Sequence, residues 1–115
     1  MFRPKEVFDL ESELVSQAGM LKALGDETRL RIFLMLSQGE LCACKILEEF
    51  DITQPTLSYH MRILCSSGLV SSRKSGIWTR YTINRDAVLK ITGLMESVSE
   101  SLVTSDDRCT EARCV

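Results

Sequence analysis

The sequence predicts a mainly α-helical domain carrying one small β-hairpin, and three observations predict it. Apolar residues recur at spacings of three and four through residues 7–24 and again through 88–102, the period of an amphipathic helix. Two short helical stretches in the middle of the chain flank a three-residue turn, Asp51-Ile52-Thr53, which is a helix-turn-helix signature. After them, Leu69 to Lys74 and Ile77 to Ile83 read as strands around Ser75-Gly76, a dipeptide compatible with a tight turn. A hairpin directly after a helix-turn-helix is the layout of a winged helix. The expectation is therefore five helices and a two-stranded wing in a single domain, 1–115, ordered from about 7 to 103.

Each element has a local reason. Val7, Leu10, Leu14, Ala18, Leu21 and Leu24 form the stripe of the first helix, and Gly25 follows where a helix should stop. Asp26 caps the second, which is apolar almost all round from Leu30 to Leu36 and is expected in the middle of the core. Ser37-Gln38-Gly39 breaks it, and Leu41 to Phe50 reads as a short third helix. Thr53 caps the fourth, in which Pro55 is harmless because first-turn N–H groups lack helical partners. Gly68 ends that helix. Asn84 caps the last helix, where Val88, Ile91, Leu94 or Met95, Val98 and Leu102 keep helical spacing. The first and last stripes exceed what a three-helix core covers, so they are expected to build a homodimer interface. Met1 to Lys5 and the polar, cysteine-containing tail 104–115 are the segments expected to lack order.

Composition bounds the function. A chain of 115 residues, 44% hydrophobic and 26% charged, suits one globular domain with a thin core, which an oligomer interface would help. The longest aliphatic and aromatic run, Ile32 to Leu36, is far short of the ~20 residues a membrane span needs. No apolar stretch of signal-peptide length opens the chain, so the expected location is the cytoplasm, without a membrane partner. The net charge of −2 hides an asymmetry: residues 52–81 hold four basic residues and no carboxylate. A local positive footprint of this kind fits phosphate, the alternative being chance clustering on a solvated face.

Leu57, Met61 and Leu64 face inward on the fourth helix, which leaves Gln54, Ser58 and Arg62 as an outward stripe with Thr56 and Tyr59 at its edges. Amides, hydroxyls and one guanidinium without an acid suit base edges in a major groove; an ordinary wetted face is the alternative. His60, the sole histidine, is assigned to DNA contact or to helix packing. Arg73, Lys74 and Arg80 of the wing are placed to meet the sugar-phosphate backbone.

Five cysteines without an export signal argue for thiol chemistry or soft-metal binding rather than a disulfide framework. Cys42 and Cys44 open the third helix, where a helix start lowers thiol pKa and thiolates select soft metals and metalloids. Residues two apart on a regular helix point about 200° apart, so both sulfurs hold one small centre only if that turn deforms. A core-filling pair is the alternative. Cys65 reads as a buried small hydrophobe. Cys109 and Cys114, in the tail, either supply a third sulfur or are exposed bystanders. Histidine-carboxylate zinc sites have too few ligands here.

These residues resemble the ArsR/SmtB family of winged-helix metalloregulatory repressors. Leu24-Gly25-Asp26-Glu27-Thr28-Arg29-Leu30 is similar to the start of that family's second helix, Gln54-Pro55-Thr56-Leu57-Ser58-Tyr59-His60-Met61 to its recognition helix, and Gly68-Leu69-Val70 with Gly76-Ile77-Trp78-Thr79-Arg80-Tyr81 to its wing. The likeness spans roughly residues 7 to 103. Glu40-Leu41-Cys42-Ala43-Cys44 resembles the Glu-Leu-Cys-Val-Cys box of the arsenic-responsive branch. That resemblance implies a homodimer that represses an arsenic-resistance operon and leaves its inverted-repeat operator when As(III) or Sb(III) binds Cys42 and Cys44. The branch often has a third cysteine where this chain has Leu47. Coordination by two sulfurs, by a third from Cys109 or Cys114, or of a methylated arsenical with two exchangeable positions all stay open. Members that sense zinc at the last helix use histidines and acids, and cadmium-sensing members an amino-terminal cysteine, that this chain lacks.

Three rivals follow from the same residues, one of them a protein-interaction module that uses the winged helix without DNA. A thiol redox or persulfide sensor keeps the fold and the DNA but sets its output by oxidation. An enzyme is disfavoured, because the chain has no Cys-x-x-Cys motif, no nucleotide-binding glycine loop and one histidine.

Overall fold

The computed structural model describes the backbone of residues 4–104 and the side chains of residues 11–102. Five helices and three short strands alternate as α1 (Pro4–Leu24), α2 (Glu27–Leu36), β1 (Leu41–Cys42), α3 (Ala43–Glu48), α4 (Gln54–Ser66), β2 (Val70–Ser75), β3 (Trp78–Ile83) and α5 (Arg85–Thr104). The helix-turn-helix is α3 and α4, and the wing is β2 and β3.

Capping residues set the helix starts. Asp26 Oδ2 accepts the Arg29 N–H at 3.1 Å, and Thr53 Oγ1 accepts the Thr56 N–H at 3.3 Å, each satisfying a first-turn donor that has no helical partner. Gly68 follows α4 at φ +89°, a conformation that glycine reaches without strain. The hairpin turn is shifted one residue from the sequence expectation: Ser75 pairs with Trp78, so Gly76 and Ile77 are the central residues. Gly76, at φ +66°, is the first of the two, where a tight two-residue turn admits glycine most readily.

Three expectations are corrected. Leu41 and Cys42 are not helical; they form a strand whose partners on β3 are Tyr81 and Arg80, giving an antiparallel sheet in the order β1-β3-β2. The third helix therefore starts at Ala43 and ends at Glu48. Second, α2 is not surrounded: Ile32 and Leu36 are buried, whereas Leu30 and Leu34 are exposed. Third, the Asn84 side chain does not cap α5. Its Nδ2 donates to the Gly68 carbonyl at 2.7 Å and its Oδ1 accepts from the Ser71 hydroxyl, so it ties the end of β3 to the start of β2.

The core lies where α2, α3 and α4 meet the base of the wing, with Ile32, Ile46, Met61, Leu64, Leu69 and Val70 fully buried. Leu57, Met61 and Leu64 face inward from α4 as their spacing predicts. α1 turns Met20, Ala23 and Gln17 to the interior, and Gln17 Nε2 donates to the Lys90 carbonyl of α5 at 3.2 Å. The stripe residues Leu14 and Leu21 point outward, as do Met95, Val98 and Leu102 of α5.

Candidate nucleic-acid interface and thiol site

The inward set of α4 fixes what the opposite face presents. Gln54, Thr56, Ser58, Tyr59 and Arg62 are all exposed on a thirteen-residue helix whose first turn carries no acid. Thr56 Oγ1 accepts a hydrogen bond from the Thr53 hydroxyl at 3.0 Å, so the cap also orients one of these side chains. His60 sits differently. Only 13% of its side chain is exposed, and its Nδ1 lies 3.1 Å from Arg29 Nη1 and 3.9 Å from Asp26 Oδ2. Of the two roles its sequence position allows, this geometry favours packing of α4 against the start of α2. Arg29, which sequence reasoning passed over, anchors that corner by also donating from Nε to the Ala23 carbonyl at 2.7 Å. The Arg29 N–H, together with the nearby guanidinium and His60, holds the Asp26 carboxyl below its ordinary range.

On the wing, Lys74 is exposed and Arg80 half-buried. Arg73, expected on phosphate, is exposed but already paired within the chain: its Nε and Nη2 donate to the two carboxylate oxygens of Glu40 at 2.8 Å each, a bidentate pair. The Arg73 guanidinium and, more distantly, Arg80 hold the Glu40 carboxyl below the usual carboxylate value. Glu40 immediately precedes β1, so this pair fastens the wing to the cysteine segment.

The same segment brings the thiols together. Cys42 is extended, at φ −74° and ψ 146°, and is the N-cap of α3, while Cys44 is in the helix's first turn. A strand-to-helix junction turns the chain where a regular helix would splay the two side chains. The sulfurs consequently lie 2.6 Å apart, both half-buried, without any deformed helical turn. The contact with the Cys44 side chain, assisted by the Cys44 and Lys45 backbone N–H groups and Arg80, lowers the Cys42 thiol pKa. The same contact, together with burial, raises the Cys44 thiol. Directly across the ladder from Cys42 lies Arg80, which in turn pairs with Arg73.

Cys65 is half-buried against the core, where burial pushes its thiol up, as expected for a small apolar side chain. Cys109 and Cys114 lie outside the described residues. Among the described residues no group of three or more His, Cys, Asp or Glu side chains is placed to hold a metal ion. Among the described residues, Cys42 and Cys44 bring together two soft sulfurs, a donor type that suits a thiophilic centre better than a hard cation. No helix among the described residues is long and apolar enough to cross a membrane.

Known proteins resemble this arrangement. Residues 26–72 match the family model described as bacterial regulatory protein, arsR family. The chain is 43% identical over 82 residues to an uncharacterized HTH-type transcriptional regulator of Methanocaldococcus jannaschii, covering 70% of this chain and 92% of that one. It is 42% identical over 90 residues to the arsenical resistance operon repressor of Staphylococcus xylosus, covering 78% and 83%. A crystal structure of an ArsR family transcriptional regulator superposes with a TM-score of 0.72 over 82% of this chain and 94% of that one, at 22% identity, which bears on the fold alone. With the winged helix in place and the identity extending through most of each relative, the chain belongs to the arsR family: it is a DNA-binding transcriptional repressor, not an enzyme.

Proposed function

We propose that this repressor binds an inverted-repeat operator as a homodimer in the cytoplasm and leaves it when As(III) or Sb(III) is captured by Cys42 and Cys44. The observation that carries the reading is the sulfur pair, 2.6 Å apart at the junction of β1 and α3, in a chain 42% identical to an arsenical resistance operon repressor. Gln54, Thr56, Ser58, Tyr59 and Arg62 read the groove, and Lys74 and Arg80 meet phosphate. His60 serves the packing of α4, and Arg73 becomes available to phosphate when Glu40 lets it go. Cys109 or Cys114 as a third sulfur belongs to the same proposal.

The junction explains how capture reaches the DNA. Cys42 is on the edge strand of the sheet that carries the wing, and Cys44 is in the scaffold helix under α4. A centre that sets the distance between the two sulfurs sets the angle between β1 and α3, and so the position of the wing relative to the reading helix. Binding linkage requires that metalloid weaken DNA binding by the same factor that DNA weakens metalloid binding, typically ~1–3 kcal/mol.

The test is an operator titration by fluorescence anisotropy under strict reduction, with and without As(III), Sb(III), Cd(II) and Zn(II). Arsenite is expected to weaken binding about 5- to 150-fold. Cys42→Ser is expected to keep the operator and ignore arsenite. Loss of operator binding in that variant assigns Cys42 to the fold, and release by oxidant but not by arsenite favours the redox reading.

A further inference from the structure

His60 joins the reading helix to the start of α2 through an atom that can carry a proton. Arg29 Nη1 lies 3.1 Å from His60 Nδ1, and a guanidinium only donates, so Nδ1 is the acceptor and the ring is the neutral tautomer with its proton on Nε2. Arg29 is itself fixed, by the Ala23 carbonyl of α1 on its Nε and by the Asp26 carboxylate on its backbone N–H. The same Asp26 Oδ2 stands 3.9 Å from His60 Nδ1. On α4, the Tyr59 ring meets the imidazole edge-on with centroids 5.4 Å apart, and Tyr59 is half exposed on the groove-facing side. The other charges on elements packed against α4 are occupied elsewhere or lie in solvent. Glu27 pairs with Arg31 on α2, Lys45 with Glu48 on α3 and Arg73 of β2 with Glu40, while Lys74 borders the cleft beside Gln54 and Ser58, and Lys22 of α1 is exposed.

We propose that His60 is a positioning residue that makes operator affinity depend on pH: neutral, it accepts from Arg29 and holds the reading helix in place; protonated, it gives up that contact and weakens DNA binding. Histidine is the side chain whose charge ordinarily changes between about pH 5 and 8. A proton on Nδ1 removes the acceptor that Arg29 uses and sets two cations side by side, while Asp26 Oδ2 becomes the acceptor within the imidazolium's reach. The move from Arg29 to Asp26 shifts the ring along the start of α2, and Tyr59, edge-on against it, moves with it. The operator-competent contact is thus present on the alkaline side and is lost as pH falls. A histidine that met phosphate would do the opposite, since its proton would add an attraction and one more salt-sensitive contact. This dependence belongs to the metalloid-free repressor and does not require capture by Cys42 and Cys44.

His60 is the sole histidine, so its imidazole gives a single set of nuclear magnetic resonance signals. Reduced, 15N-labelled full-length protein is examined for its tautomer at pH 8. Operator anisotropy is then measured from pH 5.5 to 8.5 at several salt concentrations for the parent and for His60→Asn, whose side-chain oxygen can stand where Nδ1 stands and does not titrate. Comparing the two proteins removes the contribution of every other titrating group, the Cys42 thiol included. The expected results are the tautomer protonated on Nε2, an operator affinity that falls about 3- to 10-fold more in the parent than in the variant between pH 8 and 5.5, the worth of one hydrogen bond, and a salt slope common to both. Parent affinity that rises in acid with a steeper salt slope assigns His60 to phosphate and overturns the inference, as do identical pH profiles in the two proteins. Should His60→Asn not fold, the parent alone decides: binding weakened by acid at constant salt slope, with the proton on Nε2, sustains the inference, and a proton on Nδ1 at pH 8 overturns it.

Discussion

Glu40 holds the residue that changes most between a reading of the sequence and a reading of the molecule. Arg73 is a natural phosphate contact by position, yet both oxygens of Glu40 already occupy its guanidinium at 2.8 Å. A carboxylate in that geometry competes with DNA phosphate for the same donors. Glu40→Gln is therefore expected to tighten operator binding in the absence of metalloid and to steepen the slope of log K against log salt by up to ~0.9, the signature of one added phosphate contact. An unchanged slope assigns Arg73 to wing structure alone. The pH dependence follows in sign. Because Arg73 lowers the folded pKa of Glu40 below its ordinary 4.5, the pair is intact above that value and is lost only as pH falls through the lower folded one. The difference between the two proteins is thus expected to stay constant from pH 6 to 8. Glu40 was legible as part of a cysteine box, but its partner lies 33 residues away, and nothing in the local sequence names it.

Among the elements, α4 shows what local chemistry specifies. Its cap, its tolerated proline, its inward trio and its terminating glycine were all readable, because each depends on residues within a few positions. β1 shows the opposite. Two residues have no period to recognise, and Leu41 is a strand only because Tyr81, forty residues on, offers it a ladder. Losing that strand from the sequence reading also lost the convergence of Cys42 and Cys44, since helical geometry places them apart and the strand-to-helix corner places them together. The cap of α4 yields a prediction at this scale. Thr53 satisfies the Thr56 N–H and also positions the Thr56 hydroxyl. Thr53→Ala is expected to lower unfolding free energy by about 1 kcal/mol in urea titrations. Operator affinity should fall further than that loss alone accounts for, because the frayed turn carries Gln54 and Thr56, while the arsenite-induced fold-change stays as in the parent. Full operator affinity in this variant removes the first turn of α4 from the interface.

At the scale of the whole molecule, one chain leaves too much apolar surface uncovered. Its radius of gyration is 18.3 Å and its longest extent 57 Å, against ~13 Å for a compact domain of this length. The elongation comes with long helices whose apolar stripes face out: Val15 is 74% exposed on α1 and Leu102 72% on α5, with Leu14, Leu21, Leu89, Met95 and Val98 beside them. Leu30 and Leu34 of α2, expected in the core, join the same uncovered set. Exposed apolar patches of this extent mark association surfaces, and a second copy carries the matching stripes by symmetry. In the proposed dimer, cover for Leu30 and Leu34 comes from the second copy and not from the chain's own core, where Leu30 to Leu36 was expected. Two consequences are measurable. The thermal midpoint is expected to rise with protein concentration between 1 and 100 μM, because folding is linked to association. Val98→Glu with Leu102→Glu places carboxylates one turn apart in the stripe and is expected to give a monomer by light scattering. Operator affinity should then fall about a hundredfold or more, since a protomer engages one half-site without its neighbour's tether. A concentration-independent midpoint, or a double variant that keeps parental affinity, places the operator-binding unit in the single chain and leaves these exposed stripes to another partner.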